Sequence, residues 1–161
     1  MNSTTNTSHY CYLGGIGWDK PEWVGSFYPA DMPAEWRLTF YNTHFSCVYL
    51  PYLLWHQESI ETLSRWRDDT LEHFRFLLEP APGPANAEDD ARYAALAPKA
   101  LPAVPREGPA ILWLEPKVDL KTLAQTLQTR VAAGETVHVI SLSGHYPQLE
   151  QMHSLLEVLG Y

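Results

Sequence analysis

Apolar residues follow two alternating rhythms along this chain. Short dense apolar runs predict buried strands, and stretches with an apolar residue at every third or fourth position predict amphipathic helices. The strand-like runs are residues 10–13, 47–50, 74–78, 110–114 and 136–142, the second cut short by Pro51. Helical spacing falls between them. Residues 33–45 place Trp36, Phe40 and His44 on one face, and Pro33 suits a first turn. Ser59 is a good N-cap for a second helix, with Ile60, Leu63 and Trp66 inward. Asp119 opens a third, whose stripe is Leu120, Leu123, Ala124, Leu127 and Val131, stopped by Gly134. The last helix starts near Pro147, carries Leu149, Met152, Leu156 and Leu159 inward, and ends at Gly160.

Strand and helix in alternation predict βα units and a parallel sheet, so the fold class expected is α/β. Residues 80–109 break the rhythm. They hold seven of the thirteen prolines and nine alanines, which reads as an insertion with one short helix around residues 88–97. A stretch of such length inside a compact domain calls for an explanation.

At 161 residues the chain has the length of one domain, and 45% hydrophobic with 19% charged residues describes a globular protein. A net charge of −8 without any Lys/Arg cluster argues against nucleic acid as a partner. No run is apolar for long enough to cross a bilayer, and "MNSTTNTSHY" lacks the pattern of a signal peptide. Residues 1–9 are therefore expected to be a flexible tail ahead of a single domain, residues 10–161. Cys11 and Cys47 sit in strand-like surroundings, which suggests two buried thiols and a cytoplasmic location.

The stretch "GGIGWDKPEWVGSFYP", residues 14–29, concentrates glycine, proline and aromatic residues. Its glycines suit a turn off the first strand, and Trp23, Phe27 and Tyr28 are expected to anchor the loop across the sheet end. With the helix and strand that follow, it resembles the opening of the YecE-like family, domain of unknown function 72. Gly17-Trp18, Trp23, Gly25 and Phe27-Tyr28-Pro29 occupy the matching positions. "SIETLSRWRDDTLEHFRFLLEP" is similar to the next family segment, where Thr-x-x-x-Trp leads into Phe-Arg-Phe, and "GPAILWLEP" resembles a later strand.

The resemblance implies a TIM-like barrel. A complete barrel needs eight βα units, and only five are read here. The expectation is a partial, five-unit barrel with outer helices, the Pro/Ala-rich insertion replacing its third helix. Open edges and an uncovered concave face would follow, and with them a homodimer or a protein partner.

The family's polar residues are mostly replaced. Tyr49 and Pro51 stand where the family shows Glu-x-Asn, Glu79 where it shows lysine, Ile16 where it shows serine. "ISLSGH" stands where the family has Glu-Phe-Arg-His, leaving His145. This pattern suggests a scaffold without the family's chemistry.

Barrel proteins place reactive groups at the C-terminal strand ends. The candidates there are Trp18, Asp19, Tyr49, His56, Glu79, Glu115 and His145. Aromatic rings beside carboxylates and imidazoles can hold a small polar ligand or run acid–base chemistry, which is the alternative to a non-catalytic protein. No diagnostic metal-ligand spacing links His56, Glu79, Glu115 and His145, and no Gly-x-Ser-x-Gly or Gly-x-Gly-x-x-Gly occurs, so neither metal nor cofactor is expected.

Overall fold

A computed structural model describes residues 11–84, 86–101, 104–117 and 119–161. The expected tail and Tyr10 lie outside the described residues.

The elements in order are β1 (Cys11–Gly15), α1 (Arg37–His44), β2 (Cys47–Leu50), α2 (Tyr52–Trp55), α3 (Ile60–Asp68), β3 (Arg75–Leu78), α4 (Ala87–Leu96), β4 (Ala100–Leu101), β5 (Ile111–Leu114), α5 (Leu120–Ala132), β6 (Val137–Ser141) and α6 (Tyr146–Leu159). Every strand pair is parallel, in two sheets ordered β1-β6-β5 and β2-β3-β4. This is the expected α/β class. It holds six described strands where the sequence predicts five.

The sixth, β4, comes from the Pro/Ala-rich segment, which is not a bare linker. Asn86 caps α4 by accepting from the Asp89 N–H at 2.8 Å, and Ala95 and Leu96 are buried. Ala100–Leu101 then pairs with Phe76 and Leu77 of β3. The short helix expected around residues 88–97 is α4, and it follows β3 as the helix of a βα unit. Two paired residues between prolines are too few to show a period, which is why the pattern hides β4.

The sheets meet along β1 and β2 without a full ladder. The Leu13 N–H donates to Ser46 Oγ and the Ser46 N–H to the Leu13 carbonyl, both at 3.0 Å. Farther along, Gly17 N–H donates to the Tyr49 carbonyl at 3.0 Å. Between these points the Tyr41 side chain fills the seam. Gly14 lies so close to β2 that a Cβ there would stand 1.8 Å from the Cys47 carbonyl oxygen.

Strand residues alternate between two cores. Cys11, Leu13, Val48, Leu50, Phe76, Leu78, Val137 and Val139 face the helices. Tyr12, Cys47, Tyr49, Leu77, Ile111 and Ile140 point the other way, into a second core that Val104 joins. Here the structure corrects an expectation: the face predicted to lie open is buried within one chain, with Cys47, Tyr49, Leu77 and Ile140 all at 0% exposure. Trp113 and Val104 help to cover it, and Trp113 Nε1 donates to the Arg106 carbonyl at 2.8 Å.

The helix caps at Ser59 and Asp119 form as expected. The face of α1 does not. A 3-10 turn at Ala34–Trp36 precedes it and shifts the phase, so Leu38 and Tyr41 are buried while Trp36 is 61% exposed. Trp23, Phe27 and Tyr28 are buried, as expected, and Trp23 Nε1 donates to the Gly144 carbonyl at 2.8 Å. That bond ties the aromatic loop to the turn before α6.

Candidate functional site

The chain leaves β1 through Ile16, which bridges to Tyr49, and then turns at Gly17 with φ +69°. Only glycine adopts that backbone without strain. The turn throws Trp18 outward onto α3, where it meets Trp66 edge to face, 4.7 Å between centroids and 86° between planes. A right-angled indole pair is favoured by the ring quadrupoles, at about 0.5–1.5 kcal/mol beyond burial. Tyr28 fixes the turn by donating its hydroxyl to the Trp18 carbonyl. Burial and the neighbouring Asp19 carboxylate hold the Tyr28 phenol protonated well above its ordinary range.

Trp18 and Trp66 form the floor of an open groove of about 640 Å³, together with Leu38, Leu50 and Leu54. Its rim carries four carboxylates, Asp19, Glu35, Glu58 and Asp69, against two cations, Lys20 and Arg65. Asp19 is taken up by an ion pair with Arg37, whose guanidinium also lies 5.7 Å from the Tyr28 ring centroid. The other rim charges have no ion-pair or side-chain hydrogen-bond partner among the described residues. Two of the seven expected site residues, Trp18 and Asp19, belong to this groove.

Tyr49, Glu79 and His56 belong to a separate cluster at the ends of β2 and β3. Glu79 accepts from the Tyr52 N–H and from Arg106 Nε, each at 2.9 Å. Arg106 lies 5.5 Å from the Tyr49 ring centroid, and the Tyr49 hydroxyl donates to the Val104 carbonyl at 3.0 Å. Burial, with the Glu79 carboxylate adding to it, pushes the Tyr49 phenol up to about 12. His56 stacks on the Tyr52 ring at 4.5 Å. Glu79 thus has both oxygens engaged, and Tyr49 is a packed member of the inner core.

Glu115 and His145 stand apart from both clusters. Both are exposed. Glu115 accepts at its backbone carbonyl from Gln148, and the His145 N–H donates to Ser143 Oγ at 3.2 Å just before α6. No group of three or more His, Cys, Asp or Glu among the described residues is placed to hold a metal ion. The two thiols are buried and held protonated by that burial, Cys11 up to about 11 and Cys47 farther.

Trp66, Leu54 and Arg106 were not singled out as site residues from the sequence. Trp66 satisfies a helical stripe, so its spacing reads as core. Arg106 sits among prolines, where no period exists to place it.

Comparison with known proteins agrees with this architecture. Residues 12–139 match the model of the DUF72 family, described as a protein of unknown function. The fold is similar to the crystal structure of a DUF72 family protein from Thermotoga maritima, with TM-score 0.60 and 12% identity, covering 92% of this chain and 100% of that one. No curated protein matches. With well over half of its length matched, the chain belongs to the DUF72 family.

Proposed function

We propose that this chain is a non-catalytic member of its family that acts by binding a partner protein at the groove of Trp18 and Trp66. The distribution of exposed apolar side chains carries this reading. Trp36 (61%), Leu53 (73%), Leu54 (40%) and Ile60 (45%) are four of the eight exposed large hydrophobics among the described residues. Of these, Leu54 lines the groove itself, while Trp36, Leu53 and Ile60 stand on the adjoining turn, α2 and α3. Scattered single apolar residues are normal on a surface, but an exposed leucine beside two half-buried indoles in one concavity suits a docking site.

The engaged state of the polar candidates supports a non-catalytic role. Asp19 and Glu79 are each engaged by an arginine, so neither carboxylate stands free to take a proton from a bound substrate. In the same reading the fold is a partial TIM-like barrel, six strands against the eight of a complete one, with its interior filled by its own side chains. With the concave face filled, a homodimer would rest on the outer edges of β4 and β5 alone. Two buried thiols suit a reducing cytoplasm. No helix among the described residues is long and apolar enough to cross a membrane.

Selection of a random peptide library on the purified protein tests this. Enriched peptides are expected to lose about tenfold or more in affinity on Leu54→Asp, as for a central contact. No enrichment, or binding indifferent to that change, would overturn the reading.

A further inference from the structure

Resting on that reading, we infer that the groove recognises a basic partner segment, and that an arginine or lysine side chain of the partner seats against the Trp18–Trp66 corner. Two indole rings at right angles present a face and an edge to the same space. An indole face attracts a cation through its quadrupole, more strongly when water is excluded. Both indoles are half-buried, and neither N–H has an acceptor among the described residues.

The charges point the same way. Glu35, Glu58 and Asp69 line the groove without side-chain partners among the described residues; with Asp19 paired to Arg37, these three carboxylates face the two cations Lys20 and Arg65. The Lys20 ammonium is directed towards Gly144, 3.7 Å from where a Cβ on that glycine would lie. The chain's charge of −8 steers a cationic segment toward it and an acidic one away. A small free cation would fill the corner but leave the exposed Leu54 of the groove uncovered. An extended segment with apolar residues flanking its cation covers both. The complementarity therefore selects a peptide.

The probes are three blocked synthetic peptides, Ala-Leu-Xaa-Leu-Ala, with arginine, its neutral isostere citrulline, or glutamate at Xaa. Binding is read from tryptophan fluorescence and calorimetry. The arginine peptide is expected to bind about tenfold or more tightly than the citrulline peptide, a difference within the range of one desolvated cation–π contact plus carboxylates. Glu58→Gln with Asp69→Asn, near-isosteric changes at a half-buried and an exposed position without ion-pair partners among the described residues, should erase most of that preference without affecting folding. Equal binding of all three peptides, still abolished by Leu54→Asp, would overturn the cation inference and leave the docking surface standing. Binding of none would overturn both. N-acetyl-arginine amide binding as tightly as the arginine peptide would overturn the assignment to a segment.

Discussion

The Tyr41 hydroxyl donates to the Cys47 carbonyl at 2.7 Å while accepting from the Gly15 N–H at 2.9 Å. One side chain from α1 thus serves as a rung between β1 and β2, where the two backbones make no direct bond. The ring is fully buried and stacks beside Trp23, 6.2 Å between centroids. Tyr41→Phe leaves a buried N–H and a buried carbonyl unpaired at once. It is expected to cost about 1–3 kcal/mol, read as a lower urea midpoint with an unchanged slope.

Gly14 tests the same seam by volume. Since its Cβ would overlap the Cys47 carbonyl oxygen, Gly14→Ala must push β1 and β2 apart. Overpacking with backbone displacement costs about 3 kcal/mol or more. The expected outcome is a variant that is insoluble or melts far below the parent, whereas Gly83→Ala, with open space around it and no left-handed backbone, should remain soluble and folded.

At the other end of the sheets, Glu79 serves two donors and Arg106 is the more exposed partner, 40% against 27%. Arg106→Met should therefore cost about 1 kcal/mol or less. Glu79→Ala should cost more, about 1–3 kcal/mol, because it also strips the acceptor from the Tyr52 N–H at the start of α2. Equal costs in denaturant titration would contradict this account of the cluster.

Stability should fall on acidification, and His138 is one cause. Its ring is buried, stacked on Tyr12 at 5.0 Å, with Nδ1 3.2 Å from the Ala110 carbonyl oxygen. Burial lowers its pKa below the ordinary 6.5, outweighing the Ala110 hydrogen bond. Above that value both folded and unfolded chains carry a neutral ring. As pH drops below it, the unfolded chain binds a proton that the folded one resists, so stability is lost towards the lower folded pKa. His73 is lowered in the same direction, also by burial first. His138→Phe should make the decline between about pH 7 and pH 5 shallower. An unchanged slope would exclude His138 as a contributor.

Much of the frame was legible because its signals were strong and local. The stripe of α5 with Asp119 and Gly134 at its ends, the dense runs at β2 and β5, and the caps at Ser59 and Asp119 all mark the elements that form. Other features depend on tertiary context. Helical spacing predicts a core position for Trp36, but a 3-10 turn sets the phase of α1 and leaves it exposed, and no pattern of apolar residues distinguishes that turn from an α-helical one. Within the site, Trp18 and Asp19 were legible from their place after β1. Their partners Trp66 and Arg37 were not, since side chains that meet from different elements leave no spacing in the sequence. The filling of the inner core is hidden for the same reason: Val104 reaches it from a segment whose prolines mask any period, and the spacing of β5 does not say which way Trp113 turns.

The most direct measurement places a photocrosslinking amino acid at Leu54, in the groove, or at Val158, which is 83% exposed on α6, in cells that express the protein. The account predicts one defined adduct from position 54, its partner peptide basic when read by mass spectrometry, and none from position 158. No adduct from position 54, the same adducts from both positions, or an acidic partner peptide would contradict it.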